Sequence, residues 1–220
     1  MTNKQDRRAL LSAMGAAAAG VAFTSAPVRA QAKSTFTPAR HKEDAWLETL
    51  PGKHRVWLDS ATAPGAADAL LYAGNLFTAN KAGYALVDAD LAIVVCLRHF
   101  ATVFAFNDAM WAKYGKTFAT IASFGEKGAA APTANPHRLD ANMGLPIPGI
   151  DPLAKRGVHF AICDMATHFF AGMIAGPGGD AAAVYKELAA NTVANGHLVA
   201  AGVVGTTRAQ EYGYSLLVAG

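Results

Sequence analysis

Six residues of types that do chemistry stand at the ends of three apolar runs. Asp59 and Ser60 close the run that starts at Arg55, Arg98 and His99 follow Leu91 to Leu97, and Cys163 and Asp164 end the run from Val158. Cys163 is the candidate catalytic residue, a nucleophile whose thiolate is the reactive form. Where a strand gives way to a helix, free N–H groups and the helix dipole favour that anion. The same position also suits a buried cysteine packed as a small apolar residue. Arg98, His99, Asp59, Ser60 and Asp164 are the candidate substrate-binding residues. Arg98 could clamp an oxyanion through two donors and His99 could act as a base. Alternatively, Arg98 pairs with Asp59 or Asp108, and His99 caps a turn. Cys96 lies inside an apolar run and reads as core. His168, five residues after Cys163, is off its helical face, and Cys163, His99 and His168 have no recognised zinc spacing. His137 and Arg138 could close over a site or stay solvated.

These residues meet only if the runs that carry them lie side by side, because ligands of open α/β sheets bind beyond the carboxyl ends of the strands. The spacing predicts strands at Arg55–Asp59, Leu91–Leu97, Val158–Cys163, His197–Val203 and Tyr214–Val218. Between them fall helices at Ala63–Thr78, Phe104–Tyr114, Asp164–Ala175, Asp180–Ala194 and Thr206–Tyr212. Leu91–Leu97, LAIVVCL, has the continuous apolar character of a strand buried on both faces. Strands alternating with helices predict a doubly wound α/β fold around a parallel sheet. From Gly115 to Pro152 the periodicity collapses into Gly, Ala, Pro and Asn, which predicts a long inserted loop, either a functional lid or an expanded surface loop. Neither a G-x-x-x-x-G-K-[ST] loop nor a G-x-G-x-x-G turn is present, which argues against nucleotide-binding enzymes of those classes and gives no reason to expect a cofactor.

The chain opens with Arg7 and Arg8, an apolar run from Ala9 to Phe23 and the small-residue stretch Ala30-Gln31-Ala32. These are the three parts of a twin-arginine export signal, expected over residues 1–32, which makes the translocase a partner and the periplasm the compartment. The apolar run is shorter than the roughly 20 residues a spanning helix needs, so no stable membrane insertion is expected after cleavage. The net charge of +3 comes from 19 Lys and Arg against 16 Asp and Glu. Lys4, Arg7, Arg8 and Arg29 leave with Asp6, and the charges that remain balance. A neutral domain gives no basic surface for nucleic acid. A polar arm, 33–52, leads into the domain, 53–220. Two cysteines are too few for a disulfide scaffold.

Three segments taken together resemble the DsrE/DsrF-like family: Gly157-Val158-His159-Phe160-Ala161-Ile162-Cys163, then Ala201-Gly202-Val203-Val204, then Arg208-Ala209-Gln210-Glu211-Tyr212-Gly213-Tyr214. They follow the family's order of a G-V-x-F-x-x-C strand, an A-G-V-V strand and R-x-Q-x-x-G-Y before a terminal strand. The resemblance covers about Lys53 to Gly220. It implies a flavodoxin-like three-layer sandwich with a mostly parallel sheet of about five strands, often assembled as a homo-oligomer. For members that handle sulfur it implies a cysteine, here Cys163, that carries persulfide sulfur between a donor and an acceptor protein. Asp164 stands where a Gly is frequent, and 115–152 exceeds the loops of the small sulfur carriers. Three functions are therefore expected in turn: thiol or persulfide sulfur transfer through Cys163, a non-enzymatic module for a small ligand or a protein, and a metal-binding protein that includes His99.

Overall fold

The computed structural model describes residues 37–125, 128–142 and 145–220. The signal expected over 1–32 lies outside them. Five parallel strands form the central sheet: β1 (His54–Ser60), β2 (Leu91–Leu97), β3 (His159–Cys163), β4 (Gly196–Val199) and β5 (Ser215–Ala219), in the order β4-β3-β2-β1-β5. The chain steps outward from β1 to β4 and then crosses to the other side of β1. β2 at the centre is buried along its whole length, as its unbroken apolar sequence requires of a strand covered on both faces. The architecture is a flavodoxin-like three-layer α/β sandwich.

Helix α1 (Trp46–Thr49) precedes β1, and the crossovers are filled by α2 (Ala63–Tyr84), α3 (Asp108–Ala122), α4 (Ile150–Lys155), α5 (Asp164–Ala175), α6 (Ala181–Ala190) and α7 (Gly202–Glu211), with a 3-10 helix over His99–Ala105. Alternation along the strands and the register divide the interior in two. Leu58, Ile93, Val95, Leu97, Phe160 and Ile162 face a large core shared with α2 to α6, in which Phe77, Phe104, Trp111 and Phe118 are buried. Trp57, Val94, Cys96, Ala161 and Val199 face a smaller core closed by Leu47, Ala209, Tyr212 and Tyr214. α7 alone spans that second face, touching all five strands. Gly205 lets it do so, since a Cβ there would stand 3.1 Å from both the Trp57 ring and Val199.

Several elements differ from the sequence expectation. Phe104 lies in the 3-10 helix, and α3 starts only at Asp108, where the Asn107 side chain accepts a hydrogen bond from the Met110 N–H at 3.3 Å. The segment 115–152 expected as loop is helical through Ala122 and again from Ile150. Gly115 sits inside α3 because the Pro132 carbonyl packs directly against it, leaving no room for a Cβ. β4 ends at Val199 and helix begins at Gly202, inside the stretch expected to be strand. The arm expected over 33–52 is part of the domain from Pro38 onward. Leu47 is fully buried, and its carbonyl accepts hydrogen bonds from Tyr214 Oη at 2.8 Å and Arg55 Nη1 at 2.6 Å. Among the described residues no helix is long and apolar enough to cross a membrane.

Candidate functional site

The carboxyl ends of β1, β2 and β3 meet the amino ends of α5 and α7, which cover opposite faces of the sheet. A cavity of about 430 Å3 opens there, walled by Phe100, Met165, Phe169, Phe170 and Val203, with Arg98, His99 and Cys163 also lining it. The register shows why these groups converge. Asp59 is opposite Cys96, Cys96 is opposite Ala161, and Cys163 follows Ala161 by two residues, so all point to the α7 side. Cys163 is the N-cap residue of α5 and 7% exposed.

Of the seven α-helices named above, three start with a side-chain cap and α1, α4, α5 and α7 do not. α2, α3 and α6 have side-chain caps from Thr62, Asn107 and Asp180. Cys163 and Ala201, at the starts of α5 and α7, provide no side-chain cap bond. The first N–H groups of a helix lack intrahelical partners and carry partial positive charge, and Cys163 is the residue that immediately precedes those of α5. Thr167 completes the turn by donating its hydroxyl to the Cys163 carbonyl at 3.0 Å.

Arg98 is not an open anion clamp. Its Nε and Nη2 donate to the two carboxylate oxygens of Asp59 at 2.7 and 2.8 Å, a two-point ion pair in which Asp59 is nearly buried. That bond raises Arg98 above its already high pKa and makes the pair neutral. A Cβ on Gly202 would collide with the Arg98 side chain, so the glycine at the start of α7 lets the pair sit beneath the helix. His99 is exposed, takes a left-handed backbone conformation (φ 54°) and packs against Phe100 with ring centroids 4.1 Å apart.

The other candidates are engaged elsewhere. Ser60 is buried and donates to the Cys96 carbonyl at 2.7 Å, tying β1 to β2. Asp164 accepts from Tyr185 Oη at 2.9 Å and lies 3.7 Å from His168 Nε2, which joins α5 to α6. His168 stacks on Tyr185 at 3.6 Å. Among the described residues no group of three or more His, Cys, Asp or Glu side chains is placed to hold a metal ion. Cys96 is fully buried, and burial, followed by the Asp59 charge, pushes its thiol well above the usual range. Arg138 bridges Asp108 at 2.7 Å and Asp151 at 3.4 Å, away from the cavity, while His137 packs edge-on against Phe104.

Sequence reasoning did not anticipate the cavity walls, because Met165 and Phe169 are apolar residues on the helix expected over Asp164–Ala175, types that usually pack inward, and they are 67% and 64% exposed. Nor did it anticipate a histidine pair further down the same face. His159 Nδ1 and His197 Nε2 are 2.8 Å apart, and the Trp46 ring lies flat on His197 at 3.9 Å. Burial, with the His159 charge second, lowers His197 to about 4, and burial lowers His159 as well. The chain matches no protein-family model, no curated protein and no solved structure.

Proposed function

We propose that the chain is an exported, periplasmic DsrE/DsrF-like protein in which Cys163 takes up sulfur as a persulfide and passes it to an acceptor. The observation that carries this reading is the place of Cys163, at the wall of a cavity and at the start of a helix with no side-chain cap. A negative charge on the sulfur, as thiolate or as the terminal sulfur of a persulfide, gains the N–H groups of the first α5 turn. Cys96 lacks both features. The Arg98–Asp59 pair backs the cavity wall, and the exposed His99, which also lines the cavity, is the candidate to exchange a proton with an incoming group. In this reading a sulfur-donor or acceptor protein docks at the exposed rim, and the chain works as a homo-oligomer with no resident cofactor.

The test is intact-mass spectrometry of reduced protein after exposure to polysulfide, with iodoacetamide labelling of the native state alongside. The expected result is a sulfur adduct that disappears in Cys163→Ser and persists in Cys96→Ser. No adduct, with alkylation of Cys163 only after denaturation, would overturn the reading. That outcome would favour the second one, a binding module without chemistry, for which the exposed Met165 and Phe169 already speak.

A further inference from the structure

Resting on the sulfur reading above, we propose that the cavity at Cys163 takes an uncharged sulfane, a compound with S–S bonds and an apolar exterior, in preference to sulfur oxyanions. The walls and the charge state of the cavity carry this inference. Phe100, Met165, Phe169, Phe170 and Val203 surround Cys163, and no lysine is among the lining residues. Among the described lining residues the one guanidinium, Arg98, already directs Nε and Nη2 at Asp59. An oxyanion entering this space would give up water with no unpaired lysine or arginine among the described lining residues to replace it, the positive charge on offer being limited to the exposed His99 and the partial charges at the starts of α5 and α7, and an ion losing hydration without a full counter-charge is disfavoured. An apolar sulfur chain gains instead, because its surface leaves water against aromatic rings and a thioether that pack well with polarisable sulfur. The volume of about 430 Å3 lies within the range of small-molecule sites, which are mostly apolar with few polar groups.

The chemistry balances without any external oxidant. Cys163 sulfur attacks one sulfur of the sulfane, a Sγ–S bond forms, and the adjacent S–S bond breaks. The electron pair of the broken bond goes to the departing sulfur, which also receives the proton that the thiol gives up. One S–S bond is exchanged for another, so nothing is oxidised or reduced overall.

The experiment compares dimethyl trisulfide with tetrathionate, a neutral and a dianionic S–S compound, as donors to the reduced protein. Intact mass follows modification of Cys163, and each rate is divided by the rate of the same reagent with free glutathione to remove intrinsic reactivity. The trisulfide ratio is expected to exceed the tetrathionate ratio on the order of tenfold, equivalent to about 1.4 kcal/mol. Phe169→Gln and Met165→Gln, at exposed positions that should not disturb folding, are expected to lower the trisulfide ratio several-fold and so to narrow or reverse its excess over the tetrathionate ratio. A tetrathionate ratio equal to or above that of the trisulfide overturns the substrate class and leaves the sulfur reading standing. If neither reagent modifies Cys163 while iodoacetamide does, both fall together.

Discussion

One face of the sheet lies under α2 to α6, and its strand residues are apolar apart from Ser60 and Ser215 at strand ends and the exposed His54. The other face lies under α7 and the short α1 segment, and its strands present Asp59, Cys96, His159, Cys163 and His197. A strand face pressed against several helices has no water to hydrate a polar group, so polar residues there carry a desolvation cost. A thin cover leaves a rim where side chains can be partly buried and still reach solvent. The candidate chemistry has collected on the face that packing constrains less. The same thinness gives that face fewer residues to hold it together, and each of them should matter more to its local order.

The comparison is tested most strongly by paired truncations. Phe104→Ala in the large core should cost about 3–5 kcal/mol and Leu47→Ala in the small one about 2–5 kcal/mol, both as cavity costs measured by denaturant unfolding. The difference between faces should appear in hydrogen exchange. Leu47→Ala should loosen α7 and β5 selectively, whereas Phe104→Ala should lower protection throughout. Uniform loss in both variants would mean that the thin face is not a separable unit.

A smaller effect is expected at the Arg98–Asp59 pair. Arg98→Ala leaves a nearly buried carboxylate without its partner and should cost about 3 kcal/mol, at the lower end for a broken buried pair because the arginine is partly exposed. The double variant Arg98→Ala/Asp59→Ala should recover part of that loss. A double variant as damaged as the sum of the singles would show that the two side chains act independently.

The smallest effect is the response to acid. His137 and His197 are lowered from 6.5 to about 4. Between those pH values the unfolded chain binds protons that the folded chain refuses, so stability is full above about 6.5 and declines as pH falls toward 4. The His159–His197 pair should contribute less than His137, because His159 can accept from a protonated His197 while the Trp46 face attracts the charge. His137 has no such acceptor among the described residues, and its Nε2 is buried without a hydrogen-bond partner there. His137→Phe should therefore flatten the profile of Tm against pH between 6.5 and 4 more than His197→Asn does. The reverse order would assign the acid sensitivity to the thin face.

How much of this was legible in the sequence depends on what each residue packs against. LAIVVCL announced a central strand because burial on both faces leaves a mark at every position. Val203 and Val204 suggested strand through β-branching, yet they project from α7 into solvent, and the residues that decide the helix are Gly202 and Gly205 beneath it. α2 runs to Tyr84, beyond the expected Thr78, because its last turns are exposed and carry little periodicity; Ala85, in a left-handed conformation, ends it without a glycine. Within the site, strand ends selected Cys163, Arg98, His99 and Asp59 as neighbours. They also selected Ser60 and Asp164, whose side chains turn to other partners. The pairing of Arg98 with Asp59 was one of three outcomes that sequence left open, beside an oxyanion clamp and a pair with Asp108. The His159–His197 contact depends on the β3–β4 register, for which no local signal exists.

The register between β2 and β3 has one more consequence, for redox behaviour. Cys96 and Cys163 face the same side on adjacent strands but are offset by two residues, which with about 3.3 Å of rise per residue and about 4.8 Å between strands puts their Cα atoms on the order of 8 Å apart. A disulfide needs less than about 7 Å. In an oxidising compartment the two thiols cannot protect one another by closing an internal bridge, so any disulfide that Cys163 enters is a bond to another molecule.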